Sequence, residues 1–467
     1  MNPTRCVVIG GGISGLSFAH RLSELRRERG LSLEIVLLEA AGRLGGVIET
    51  RRRDGFLLEG GPDAFLVERP EAMALCRRLG LAGDLMETQE TCRRSFVARN
   101  GHLVPVPSGL DLIAPGRLST LVRMPLVSWP GKLRMACEPF IPPRRGDQDE
   151  SVGHFVRRRL GREALERLGQ PMISGIYTAD PERLSLEATF PRFREMERRY
   201  GSLSRGLRVG IRESAQAIQQ ASGPRYSLFL SLQGGLGTLV EALGRRMSDV
   251  ELRCGTPVSH VERGVRWRVV ATAGTTLEAD WLCVALPAHQ AAVLLRPCAQ
   301  DLVRQLAAVP YESVATINLA FRRSDVPHPL DGFGFVVPAV ERRRVVGCTF
   351  SSQKFSGRAP AGSVLLRAFV GGALHREVFE LDDHALERVV REELRDLLGI
   401  QAAPRLISVH RYPQAMPQYH VGHLERVAAI EAEAGRFPGL FLIGNGFRGI
   451  GIPDCVRQAE TAAERLA

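Results

Sequence analysis

Three things are missing from this sequence of 467 residues, and each absence removes a class of protein. No C-x-x-C pair occurs: the nine cysteines, from Cys6 to Cys455, are scattered and odd in number. That argues against a disulfide framework or a structural zinc site and for reduced thiols in a cytosolic setting. No apolar run reaches the roughly eighteen residues that a spanning helix needs, so membrane contact is expected to be peripheral at most. No leader-like stretch precedes the first strand pattern, so a signal or transit peptide is not expected. What is present, 44% hydrophobic and 24% charged residues, is the make-up of a globular enzyme, and the length calls for two or three domains. The formal charge of +11 comes from 62 Lys+Arg against 51 Asp+Glu and is carried mainly by arginine. It favours acidic partners such as a phosphate cofactor, a polycarboxylate substrate or an anionic surface. Nucleic acid is not expected, because no motif supports it.

The strongest local signal is Arg5-Cys6-Val7-Val8-Ile9-Gly10-Gly11-Gly12-Ile13-Ser14-Gly15, a short apolar strand, a glycine turn and a helical pattern. Gly10-x-Gly12-x-x-Gly15 is the dinucleotide fingerprint: one glycine for the tight turn, one for close approach of a pyrophosphate, one for packing the helix on its strand. A second strand, Leu33 to Leu38, delivers Glu39 to the place where a carboxylate accepts hydrogen bonds from a ribose. Then come Arg43 and the paired glycines Gly45 and Gly46, read as a cationic side chain and bare backbone for the phosphates. Phe56 to Glu59 leads into Gly60-Gly61-Pro62-Asp63, a turn where backbone lies close against a flat ring.

From about residue 108 to Phe193 proline and arginine are abundant and strand patterns vanish, while Val152, Phe155, Val156, Leu160, Leu165 and Leu168 recur at helical spacing. The segment reads as a helical insert whose arginines form a solvated face or meet anionic lipid. Val250 to Val258, Trp267 to Ala273 and Leu277 to Val284 read as meander strands. Val314–Phe321, Gly332–Val337, Val345–Phe350 and Val364–Val370 read as a mostly antiparallel sheet in a second domain. Near the end, Leu440 to Gly444, Asn445, the glycine-rich Gly449-Ile450-Gly451-Ile452-Pro453-Asp454 and a closing helix form a further cofactor contact.

In this order the pieces resemble the flavin-dependent amine oxidase superfamily and, within it, the protoporphyrinogen oxidase family. The narrower likeness rests on Ser174-Gly175-Ile176-Tyr177, Asp331-Gly332-Phe333-Gly334-Phe335-Val336-Val337-Pro338, Pro417-Gln418-Tyr419 with Gly422-His423, and Gly449 to Cys455. The resemblance implies an α/β chain, α+β overall, with a Rossmann-like FAD-binding domain built from 1–90, 228–285 and 423–467. It implies a mixed, largely antiparallel substrate domain from 91–107, 196–227 and 286–422, and a helical, membrane-facing insert over 108–195. By the same resemblance FAD is held by Gly10, Gly11, Gly12, Ile13, Ser14, Gly15, Glu39 and Ala40, with Val258 at the adenine. Val47, Gly61, Pro62, Asp63, Ala64, Asn445, Ile450, Gly451 and Ile452 lie along the ring and its ribityl chain. Gly175 presents its carbonyl to pyrrole N–H groups, and Phe333, Val336, Thr349 and Phe369 wall the substrate.

Two positions depart from the family pattern. Ser95 stands where many relatives have a propionate-binding arginine, with Arg94 one residue earlier and so on the opposite strand face. Asp63 stands where many have asparagine, and a carboxylate beside reduced flavin opposes reduction unless it is protonated or paired. The implied activity is oxidation of protoporphyrinogen IX in haem biosynthesis, with hydride passing to FAD and dioxygen or another acceptor reoxidising it. Coproporphyrinogen III on the same scaffold, amine oxidase or desaturase chemistry, and a non-catalytic tetrapyrrole-binding flavoprotein are the competing readings. No catalytic base is assigned, and no metal: His420 and His423, without further ligands, read as structural. The expected setting is cytoplasmic, peripheral to the inner face of the cell membrane, and the resemblance leaves a homodimer open.

Overall fold

Thr4–Ile9 (β1) and Leu33–Leu38 (β2) are near-continuous apolar runs, the pattern of parallel strands covered on both faces. They occupy the middle of a five-stranded sheet whose order is Glu251–Arg253, β2, β1, Trp281–Val284 and Leu440–Leu442, with every pair parallel. Alternation divides the sheet between two cores. Cys6, Val8, Ile35 and Leu37 face the helix Ile13–Arg29 (α1) and the closing helix Ile452–Leu466. Val7, Ile9, Val36 and Leu38 face a three-stranded meander and the helices Ala288–Leu295, Gln300–Ala307 and His423–Gly435. The structure is a computed structural model and describes all residues except 1–3, 93, 108–109, 112–113, 116–117 and 210–227.

The second layer is a seven-stranded mixed sheet, ordered Leu406–Pro417, Tyr311–Arg322, Ser363–Gly371, Gly347–Thr349, Gly334–Val336, Ser95–Arg99 and His102–Pro105. One face, with Phe96, Ile317, Phe335, Cys348 and Ala368, is buried against the amphipathic helix Asp383–Leu398. The other face turns toward the cofactor sheet and the helical layer. That layer holds Trp129–Ala136, Val152–Leu160, Gln170–Tyr177 and Pro191–Tyr200 around a core of Phe155, Leu160, Leu168 and Phe193. Its buried Arg159 donates to Glu138 Oε1 at 2.9 Å and to Ile141 O at 2.8 Å, so the charge is matched inside the layer.

Four expectations change. Leu277 to Val284 is not one strand: Thr276–Ala279 ends the meander, and Trp281–Val284 leaves for the parallel sheet. Asp280 sits at the break and accepts from Arg5 N at 2.8 Å. Val250 to Val258 divides in the same way, into Glu251–Arg253 and the separate strand Val258–Arg263. Ala288–Leu295 and Gln300–Ala307 pack on the parallel sheet, and we place the seam between the layers just before Tyr311–Arg322 rather than at 286. Of the 196–227 segment, the part through 209 is helical and buries Leu203 and Leu207 in the helical layer, whereas 210–227 lie outside the described residues.

Candidate functional site

The loops that leave the carboxyl ends of the parallel strands meet at one edge of the sheet, where ligands of such sheets bind. Gly10 N donates to Leu38 O at 2.8 Å, and Gly10 takes φ of 108°. A Cβ on Gly15 would collide with the Gly10 carbonyl, so only glycine lets α1 start this close to the turn. Gly12 differs: a Cβ there meets nothing within 4 Å. Gly12 caps α1 without a side-chain hydrogen bond, and the first turn, Ile13 and Ser14 included, carries no acid. The helix N–H groups therefore face open space, a fit for a pyrophosphate. Glu39 accepts from Gly11 N at 2.6 Å and from Ala41 N at 2.8 Å, flanking Ala40. Gly255 N to Ala41 O, 2.8 Å, and Thr256 N to Glu39 O, 2.9 Å, bring the start of the Val258 strand to the same corner.

The Arg43 loop lies beside this turn. Gly45 N donates to Gly11 O at 2.8 Å, which lays Gly45 and Gly46 beside Gly12. The guanidinium, however, is turned onto its own loop: it donates to Gly46 O at 2.8 Å and to Leu44 O and Ile48 O at 3.2 Å, and faces Glu49 at 3.5 Å. Arg43 shapes the turn that carries Val47. Val47 is 43% exposed, an apolar side chain at the rim of the site.

Gly61 passes so close to Val47 O that a Cβ would overlap it. The carbonyls around Gly61 are fastened by polar side chains from the second sheet. Thr316 Oγ1 donates to Gly60 O at 2.6 Å, Asn318 Nδ2 to Glu59 O at 3.1 Å, and Arg367 to Gly61 O at 2.7 Å. Two residues on, past Pro62, Asp63 is paired with Lys354, whose Nζ lies 3.0 and 3.2 Å from its oxygens, and with Arg367 at 3.3 Å. Burial alone would raise the Asp63 carboxyl, but the Lys354 ammonium and the Arg367 guanidinium outweigh it and hold the group well below the usual carboxylate range. Asp63 is thus a paired carboxylate. Ser231 Oγ donates to its carbonyl at 2.7 Å just before Ala64.

Across the second sheet, Ser95, Gly334, Thr349 and Arg367 lie side by side, and two residues along so do Val97, Val336, Gly347 and Phe369. These rows share the face that turns toward the Gly61 loop. Ser95, Val336, Thr349 and Phe369 are half-buried where the neighbouring Phe96, Phe335, Cys348 and Ala368 are buried. Gly175, exposed in the last turn of Gln170–Tyr177, sits over this face, its Cβ position 3.2 Å from Val336. Phe333 precedes the strand and is half-buried outside every hydrophobic core. Arg94, one residue before Ser95, points elsewhere: its guanidinium is 3.0 Å from Asp331 at the surface and is 65% exposed.

The C-terminal loop is held by an aromatic clamp. The Tyr419 hydroxyl donates to Asn445 O and accepts from Gly449 N at 2.9 Å. His423 stacks on the Tyr419 ring, centroids 3.8 Å apart, and its Nε2 donates to Phe447 O at 2.8 Å. Asn445 Nδ2 donates to Ala415 O at 3.3 Å. Ile450 packs toward the helical layer, Gly451 caps the closing helix, and Ile452 enters the α1 core. His420 O accepts from His423 N at 2.9 Å, and burial with Arg183 pushes the His420 imidazole down to about 4. Thr316, Asn318, Lys354 and Arg367 are site residues that no sequence motif marks, and Tyr419 is marked only as part of the Pro417-Gln418-Tyr419 motif. For Arg367 a signal was there: a lone arginine inside Val364-Leu365-Leu366-Arg367-Ala368-Phe369-Val370.

Comparison with known proteins follows the same lines. The profile of the family described as flavin containing amine oxidoreductase matches residues 13–467. A coproporphyrinogen III oxidase of Bacillus subtilis (strain 168) is 35% identical over 458 residues, 98% of this chain and 96% of its own. Protoporphyrinogen oxidase 1, chloroplastic, of Arabidopsis thaliana is 32% identical over 482 residues, 99% of this chain and 88% of its own. A crystal structure from Exiguobacterium sp. 255-15, provisionally named a protoporphyrinogen oxidase, superposes with TM-score 0.88 at 30% identity, covering 100% of this chain and 99% of that one.

Proposed function

The chain belongs to the flavin containing amine oxidoreductase family and is an FAD-dependent oxidoreductase, and from that premise we propose that it oxidises protoporphyrinogen IX to protoporphyrin IX. The observation that carries the substrate class is the half-buried face of Ser95, Val336, Thr349 and Phe369, tied through Arg367 to the Gly61 loop and roofed by Gly175. A flat, apolar macrocycle fits such a wall, with few polar anchors. FAD supplies the hydride acceptor, and dioxygen is the proposed terminal oxidant. The protein contributes position. Gly175 lies in the last helical turn, where carbonyls lack an intrahelical donor, and accepts a pyrrole N–H. Val336 and Phe369 fix the macrocycle plane, which sets a bridging carbon against the ring. Arg367 and Thr316 keep the Gly60–Gly61 backbone from moving as the substrate packs against it.

Coproporphyrinogen III is the second reading, favoured by the name of the Bacillus subtilis relative at 35% identity. Anaerobic addition of each porphyrinogen to the FAD-loaded protein tests both. Bleaching of the flavin followed by porphyrin fluorescence on admitting oxygen supports oxidation, and the ratio of kcat/KM assigns the substrate. Failure to bleach with either leaves a tetrapyrrole-binding flavoprotein. We also propose peripheral contact with an anionic membrane through Trp129, Leu133 and Phe140, which are 69%, 69% and 83% exposed in the helical layer beside Lys132. Among the described residues no helix is long and apolar enough to cross a membrane. Flotation with phosphatidylglycerol vesicles, lost in a Trp129→Ser/Phe140→Ser variant, tests the contact.

A further inference from the structure

Asp63 lies in the loop assigned to the ring of FAD, and its surroundings hold more positive charge than one carboxylate balances. Lys354 Nζ and the Arg367 guanidinium both face it, at 3.0 and 3.3 Å, and none of the three side chains is more than 13% exposed. Arg358, behind them, is 2% exposed and fixed by Ser231 Oγ and Leu232 O at 2.9 Å and Gln233 O at 3.0 Å. Its charge is answered by Glu59, which accepts from Thr50 Oγ1 at 2.6 Å and Leu236 N at 2.8 Å. The Asp63 group therefore carries a surplus of one positive charge. Lys354 is one of only two lysines in the chain, the other being Lys132. Its compact ammonium lies 5.2 Å from the centroids of Phe229 and Phe355, apolar walls that keep water from screening it.

We propose that Asp63, Lys354 and Arg367 together set the reduction potential of the bound FAD, their surplus cation favouring the reduced, more negative ring. The carboxylate is the adjustable part. It lowers the field of two fixed cations without cancelling it, so a position that taken alone opposes reduction becomes a trim on a site that promotes it. A purely structural ion pair predicts something else: removal of either partner loosens the loop and moves the flavin in one common direction.

The test is an anaerobic dithionite titration of the FAD-loaded protein against a reference dye. No porphyrinogen is present, so a wrong substrate assignment leaves the result untouched. Asp63→Asn raises the surplus and shifts the ratio of reduced to oxidised FAD affinity upward by about tenfold, ~30 mV for a two-electron couple. Lys354→Gln shifts it downward by a similar factor. The double variant has the wild-type net charge and returns to within about threefold of wild type. Shifts of the same sign in the two single variants, shifts below about threefold in both, or a double variant that does not return overturn the proposal. If Asp63→Asn sheds its flavin, Lys354→Gln and the double variant still give the sign.

Discussion

Tyr419→Phe removes one oxygen atom from the clamp on the C-terminal loop, and its effect can be worked out in advance. The hydroxyl is a donor to Asn445 O and an acceptor from Gly449 N, and the residue is 2% exposed. Burial raises its ionisation well above the usual tyrosine value, so the donor proton is present at any working pH. The ring itself stays, stacked on His423, so no cavity forms. What is lost is one hydrogen bond at each of two backbone groups, each left without a partner at a cost of about 1–2 kcal/mol, together about 2–4 kcal/mol. Because the loop Asn445–Gly451 lies between the clamp and the cofactor edge, most of that appears where FAD binds. At 1.4 kcal/mol per decade it corresponds to a loss of affinity of roughly 30- to 700-fold. Titrating apoprotein with FAD by flavin fluorescence quenching measures it, with urea unfolding of the apoprotein as reference. An FAD Kd within about threefold of wild type would refute the reasoning, since the loop would then hold its shape without the hydroxyl.

Further outcomes are expected elsewhere. Gly12→Ala leaves apoprotein urea stability unchanged but weakens FAD binding more than about tenfold, whereas Gly15→Ala, which drives a methyl into the Gly10 carbonyl, lowers both. Arg367→Met strips the Gly61 carbonyl of its donor and leaves Asp63 with Lys354 alone; about 3 kcal/mol of stability is lost in urea unfolding, and an unchanged midpoint would contradict the assigned role. His420 is kept neutral in the fold, so its contribution is complete above the unfolded value of 6.5 and disappears as pH falls through that value toward 4. That is at most about 3 kcal/mol, or about 2 kcal/mol after solvent screening of a partly exposed ring. His420→Gln flattens the fall in stability between pH 6.5 and 4 when both proteins are unfolded in urea across that range, and parallel curves would exclude it.

The cofactor edge was legible because its requirements are local. The glycines of 10–15, the acid at Glu39 and the paired glycines of 45–46 each answer a steric or hydrogen-bonding need within a few residues of chain, and the structure places them together. The face of the second sheet was legible only in part. The family resemblance supplied Val336, Thr349 and Phe369, but the register that sets Arg367 beside Thr349 and Ser95 joins strands from distant parts of the chain, which no short window contains. The contacts of Arg43 and Arg94 were illegible for a related reason. A guanidinium next to a ligand loop suggests a ligand, yet its five donors are as readily taken by nearby carbonyls and carboxylates, and here they are. The meander was overextended because Thr276–Ala279 and Trp281–Val284 share one apolar rhythm, interrupted only by Asp280.

The order of strands in the parallel sheet has a consequence for how the protein is made. β1 is synthesised before its neighbour Trp281–Val284, with more than 270 residues between them, and Leu440–Leu442, which completes the edge, is later still. Until those segments are made, β1 can rest only on α1 and β2, without the helix Ile452–Leu466 that closes the glycine turn. A truncation before Leu440 removes the edge strand and the closing helix together, and with them one side of the glycine turn, however complete the second sheet.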